Sequence, residues 1–185
     1  MISQLRTATV FLALMTFLLG AVYPAIVWMV GQLAFPYEAN GSLIMSWEET
    51  KGSALLGQHF QADRYFWSRL SDTPAFPYNA QNSGSAHLNA DHPELLNKAK
   101  DRLNKLNLSE EQPPIDLVTS SGSGLDPHIS PHAARVQVKR IARERNLDEQ
   151  ILLDLISQHT SNPTFGFLGE TTVNVLQLNL ALDTI

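Results

Sequence analysis

The densest grouping of side chains able to do chemistry lies between Asp116 and Ala142. There Asp126, His128 and His132 follow a glycine loop, Gly122-Ser123-Gly124. Two histidines four residues apart on one unbroken helix would hold zinc. Pro131 stands between these two, so His128 precedes the helix that Ser130-Pro131 opens, and the sequence argues against a metal. Backbone N–H groups of a glycine loop before a helix can cradle phosphate. A Walker loop, however, requires G-x-x-x-x-G-K-[ST], and no lysine follows Gly124; G-x-G-x-x-G is absent as well. The loop is expected to be a tight structural turn. There is no G-x-S-x-G nucleophile elbow. With no cysteine, a thiolate nucleophile, a thiolate metal site and disulfides are all excluded. His87 and His92 are expected in surface loops. The carboxylates are interspersed with Lys and Arg, as on solvated faces, while a carboxylate pair assembled in space stays an open alternative.

The elements that must position these residues divide sharply by charge. Thr7 to Tyr37 is a run of 31 residues without Asp, Glu, Lys or Arg, and Arg6 is the one charged side chain before it. The rest carries 12 basic and 18 acidic residues, a formal −6. That acidity argues against a nucleic-acid partner, which selects a basic stripe. A helix needs about 20 residues to cross a ~30 Å hydrocarbon core, and Thr9 to Leu33 supplies them. A signal peptide has a shorter apolar region, about 7–15 residues, ending in a small-x-small site. Here Tyr23-Pro24 occupies the place of cleavage. An uncleaved anchor in membrane lipid is therefore expected over a signal peptide or a buried core helix. Arg6 and the α-amine flank one end, and Glu38, Glu48 and Glu49 the other. By the excess of positive charge inside, residues 1–8 are expected in the cytoplasm, 9–33 in the membrane and 34–185 outside. Pro24 withdraws the donor from the Gly20 carbonyl, so a kink is expected. Ala13, Thr16 and Gly20 share a helical face leading to Pro24, and small residues admit a neighbouring helix closely.

In the outer part, SLIM, SALLG and RYFW read as strands or turns. Asp91 with Glu94 forms a capping box ahead of a helix bearing Leu95, Leu96, Ala99, Leu103 and Leu106 on one face. Ile115 to Thr119 reads as a strand. A helix is expected from Ser130-Pro131 to about Arg145, with Ala134, Val138, Ile141 and Ala142 inward. Asn146 with Glu149 reads as a second capping box, Pro163 to Glu170 as a turn or hairpin, and Val173 to Asp183 as either helix or strand, with helix favoured. The fold class is α+β: a single N-terminal transmembrane helix followed by one mixed α/β extracytoplasmic domain.

Several motifs in a shared order carry a family likeness. They are Tyr23-Pro24, NGSLI at 40–44, GSALLGQHF at 52–60, YFWSR at 65–69, PYNAQNSG at 77–84, the whole of 116–142, and VNVLQLNLALD at 173–183. Together they make the chain resemble the C subunit of the Kdp potassium-transporting ATPase (KdpC) over nearly its whole length. The resemblance implies a bacterial inner-membrane complex taking up potassium with high affinity. Its partners would be a channel-like A subunit, a P-type B subunit that hydrolyses ATP, and a small F subunit. The implied role is that of a non-catalytic accessory subunit that stabilises the complex. In that family the C subunit is also described as a catalytic chaperone that raises the ATP affinity of the B subunit. Gln137 matches a family glutamine proposed to contact nucleotide, so ATP enters by resemblance alone and no firmly bound cofactor is expected. The expected topology conflicts with that contact, because it puts Gln137 across a ~30 Å layer from cytoplasmic ATP. The rival reading is a stand-alone anchored periplasmic enzyme or binding protein.

Overall fold

A computed structural model of the chain describes residues 2–46, 49–89, 91–106 and 113–185, so Glu48 of the acidic flank lies outside the described residues. The chain divides into two compact units, Met1–Lys51 and Gly52–Ile185.

The first unit is dominated by a 33-residue apolar helix, Ile2–Ala34, long and apolar enough to cross a membrane and with none of its apolar window buried. At 1.5 Å per residue it extends about 50 Å, beyond the ~30 Å of a hydrocarbon core. It comprises α1 (Ile2–Phe17), a π-helical turn (Leu18–Val22) and α2 (Tyr23–Ala34). The π-turn is the form taken by the disturbance expected at Pro24. A proline ring clashes with the carbonyl four residues back. The chain widens just before it, and the Tyr23 N–H bonds to the Leu18 carbonyl, five residues back. Phe35 breaks the helix at φ −137 and ψ 55, and a short turn α3 (Pro36–Ala39) follows. The hairpin strands β1 (Leu43–Ser46) and β2 (Glu49–Ser53) come next.

The second unit is a mixed α/β domain, as the sequence predicts. Its three-stranded antiparallel sheet has the order β3 (His128–Ile129), β5 (Thr172–Asn174), β4 (Thr160–Ser161). In register, Ile129 and Thr160 both face Val173. Helices α6 (Pro131–Arg135), α7 (Val138–Arg145), α8 (Glu149–Gln158) and α9 (Val175–Leu182) pack about this small sheet. The core joins Ile129, Ile141, Leu152, Ile156, Val173 and Leu178 to Phe66 and Trp67 from an irregular segment. Two further helices are α4 (Pro93–Leu106) and α5 (Ile115–Val118).

The local expectations err where side chains compete for backbone groups. Ile115–Val118 is a helical turn instead of a strand. Pro114 at φ −57 starts it, the Thr119 hydroxyl donates back to the Ile115 carbonyl at 2.8 Å, and Leu117 is fully buried. The helix expected from Ser130 to Arg145 is interrupted at Val136-Gln137, although its four predicted inward residues are all buried. Asn146 does not cap α8. It ends α7 in the left-handed region at φ 55, and Asp148 caps α8 by accepting from the Gln150 N–H at 2.8 Å. On α4 the cap is His92, whose Nδ1 accepts from the Glu94 N–H at 3.2 Å, in place of Asp91. The closing segment is β5 running into α9, where Asn174 accepts from the Gln177 N–H at 3.1 Å.

Candidate functional site: a braced extended segment

Asp63 to Arg69 passes through the domain without helix or strand, opening on a turn closed by the Tyr65 N–H to the Ala62 carbonyl at 3.1 Å, yet Phe66, Trp67 and Ser68 are buried. Buried backbone groups need partners, and here side chains provide them. Phe66 donates its N–H to Asn179 Oδ1 and accepts at its carbonyl from Asn179 Nδ2, both at 2.9 Å. Trp67, facing the other way as extended backbone requires, donates to Gln137 Oε1 at 2.8 Å and accepts from Gln137 Nε2 at 3.2 Å. Each carboxamide thus takes the place of a neighbouring strand. Gln137 is 1% exposed, and its other two bonds go to the Ala133 carbonyl at 3.0 Å and from an Arg140 amino group at 2.8 Å. An amide has two donors and two acceptor sites, so its capacity is filled.

Three arginines complete the brace. Arg102 and Arg140 stack on the Trp67 ring with guanidinium carbons 4.5 and 4.6 Å from its centroid. The indole N–H donates to the Ala62 carbonyl at 3.0 Å. Arg102 also donates to the carbonyls of Ser68 at 2.6 Å and Leu117 at 3.3 Å. Arg140 donates to the carbonyls of Tyr65 at 3.0 Å and Asp63. Burial pulls both guanidinium pKa values down to about 10, which leaves them cationic at neutral pH. Arg145 donates to the Arg64 carbonyl at 2.9 Å and to Asp183 at 2.6 Å, and caps the C-terminus of α9 through the Leu182 carbonyl at 3.0 Å. Tyr65 reaches the same Asp183 at 2.9 Å.

The sequence-selected residues fall into separate places. Asp126 accepts from the His128 backbone N–H at 3.0 Å and pairs with Arg69 at 3.2 Å. Burial opposes the Asp126 charge, but His128 and Arg69 outweigh it and hold the carboxyl below its ordinary range. Among the described residues, no three His, Asp or Glu side chains come together as a metal site. The glycine loop is a structural turn: Gly124 has φ 67, and a Cβ there would lie 2.6 Å from the Gly84 carbonyl. Gln137 offers no polar atom to a nucleotide, since all its bonding capacity is used in the core, so the residues present do not fit ATP at that position. Ala13, Thr16, Gly20 and Pro24 are exposed along the long helix. The π-turn changes the angular phase between Ala13-Thr16 and Pro24, and a Cβ on Gly20 would meet nothing within 4 Å. Sequence reasoning missed the brace, although polar Gln137 and Asn179 interrupt otherwise apolar helix faces, which is a readable signal.

One membrane-length apolar helix followed by a mixed α/β domain, its buried amides turned to holding its own backbone, defines a single-helix, single-domain class of protein. The chain belongs to the family K+-transporting ATPase, c chain (KdpC), whose model matches residues 5–184. It is 48% identical over 182 residues to the potassium-transporting ATPase KdpC subunit of Paraburkholderia phytofirmans, covering 96% of this chain and 95% of that protein. It is 48% identical over 185 residues to the KdpC subunits of Burkholderia mallei (strain SAVP1) and Burkholderia pseudomallei (strain K96243), covering 98% of this chain and 96% of theirs. Membership makes it a subunit of a potassium-transporting ATPase.

Proposed function

We propose that this chain is a non-catalytic accessory subunit that assembles and stabilises the ATPase complex in a bacterial inner membrane. Residues 9–33 span the bilayer, 1–8 lie in the cytoplasm and 34–185 stand in the periplasm. The span packs beside the channel-like A subunit through Ala13, Thr16, Gly20 and Pro24, in a complex that also holds the P-type B subunit and the small F subunit. The observation carrying this reading is the contrast between a helix with no buried residue and a domain whose buried amides, Gln137 and Asn179, bond to its own backbone. Any influence on ATP affinity then passes through the partner subunits as a coupling of about 1–3 kcal/mol. Gln137 acts by bracing Trp67.

Replacing Thr16 and Gly20 with Leu in the full complex is expected to reduce co-purification of the other subunits from detergent. An intact, fully active complex would overturn the packing role. Since the chain has no cysteine, Ser157→Cys on the exposed face of α8 gives a single topology probe. Labelling by an impermeant maleimide from the periplasmic side is expected, and labelling from the cytoplasmic side alone would reverse the orientation. For ATP, Gln137→Ala should lower thermal stability and yield while the KM for ATP of the surviving complexes stays unchanged. A raised KM at unchanged stability would restore nucleotide contact.

A further inference from the structure

Between β4 and β5 the chain turns through Pro163 to Glu170. Thr164 and Leu168 face each other across an antiparallel bridge, bonded in both directions at 2.9 and 3.0 Å, and the Gly166 N–H bonds to the Pro163 carbonyl at 3.0 Å. At the tip of this well-held hairpin Phe165 is 84% exposed and Phe167 74%. Leu168 is exposed beside them. Phe165 has φ 55, in the left-handed region that disfavours a residue with a side chain and that clusters at functional positions. Exposed apolar patches mark interaction sites. Aromatic rings on a preorganised turn are suited to anchor one, because little freedom is left to lose on binding.

The hairpin descends into a cleft of about 440 Å³, where Glu170 and Thr172 share the lining with Asp116, Asp126 and Ile115. Arg69 also reaches this cleft, where Asp126 pairs with it at 3.2 Å. Along the sequence, residues 146–185 carry Asp148, Glu149, Asp154, Glu170 and Asp183 and neither Lys nor Arg, while Asp183 pairs with Arg145 and Arg69 in the cleft with Asp126. A surface that settles on anionic lipid carries Lys and Arg around its apolar residues, and the hairpin Pro163 to Glu170 has neither. We infer that the Phe165–Leu168 knob and the acidic rim at Glu170 form the surface by which the domain docks on another protein chain of the ATPase complex. The complementary site is an apolar socket edged with Lys or Arg. This rests on the accessory-subunit reading and names the surface it uses.

The test is a single Phe167→Cys in the otherwise native, membrane-assembled complex, carrying a benzophenone maleimide, with Ser157→Cys as control. The expected result is a photo-adduct from position 167, and not from 157, to a partner chain identified by mass spectrometry. An adduct with lipid alone, or none while the subunits co-purify, overturns the docking surface and leaves the accessory reading standing. Failure of the unaltered chain to co-purify with ATPase subunits overturns the accessory reading itself. In parallel, the Phe165→Ser, Phe167→Ser double variant should be held on the order of tenfold more weakly. Its unfolding temperature should not move, because both rings are exposed. Glu170→Lys should weaken binding most at low salt, where opposite charges steer association. Retention at the unaltered level by the double variant overturns the proposal.

Discussion

In the helix Ile2–Ala34 the backbone is satisfied along the helix axis, so its side chains are left facing outward. In the segment Asp63 to Arg69 the backbone runs largely outside regular secondary structure and is buried at Phe66, Trp67 and Ser68, and side chains of Arg102, Gln137, Arg140, Arg145 and Asn179 satisfy it. Substitutions should therefore be felt differently in the two. A side chain along that helix, where none is buried, matters chiefly through what lies outside the chain. A bracing side chain in the second strands backbone groups that have no other partner.

Trp67→Ala should be the most damaging change, at about 3–5 kcal/mol, because it empties a buried ring site and leaves two guanidinium groups without the face they stack on. Thermal or denaturant unfolding of the full chain in detergent measures it, and a loss below about 1 kcal/mol would show that the brace is not central. Gln137→Ala follows at about 3 kcal/mol, from the two buried Trp67 groups left unpaired at about 1–3 kcal/mol each. Asn179→Ala should behave alike for Phe66, and unequal results would show that the two carboxamides are not equivalent.

A smaller effect is expected with acid. His59 is held below its ordinary 6.5, first by burial and then by Arg102, and Asp126 is held below 3.8. Both groups bind protons more readily in the unfolded chain, so their stabilisation is complete above the unfolded pKa and lost as pH falls through the lowered folded value. Stability measured against pH should decline below about 6.5 and steepen below about 3.8. Asp126→Asn should flatten the lower limb, and an unchanged profile would remove Asp126 from the account. The least effect on the domain should come from Gly20→Leu. A Cβ there meets nothing within 4 Å, so unfolding of the second unit should be unchanged while association suffers.

The membrane-length helix was legible because one property, 31 consecutive uncharged residues, repeats long enough to leave few alternatives. Helices α4, α7 and α8 were legible through apolar periodicity, as were the inward positions Ala134, Val138, Ile141 and Ala142. Their ends were not, because several residues can cap and geometry selects among them: His92 over Asp91, and Asp148 over Asn146. Ile115 to Thr119 misled because β-branched residues favour strands only weakly, and Pro114 with Thr119 closes a helical turn instead.

By itself, then, the sequence determined the long apolar helix, the α+β class, the exclusion of cysteine chemistry and the family. These follow from composition, period and motif order, which are properties of neighbours along the chain. Only the tertiary structure decided what Gln137 does. Two of the four groups it bonds belong to Trp67, 70 residues away, and a hydrogen bond is settled by distance and direction in space. The same holds for Pro24, whose ring could kink a helix or be met by a π-turn. The turn Leu18–Val22 is the outcome, because the Tyr23 N–H finds the Leu18 carbonyl five residues back.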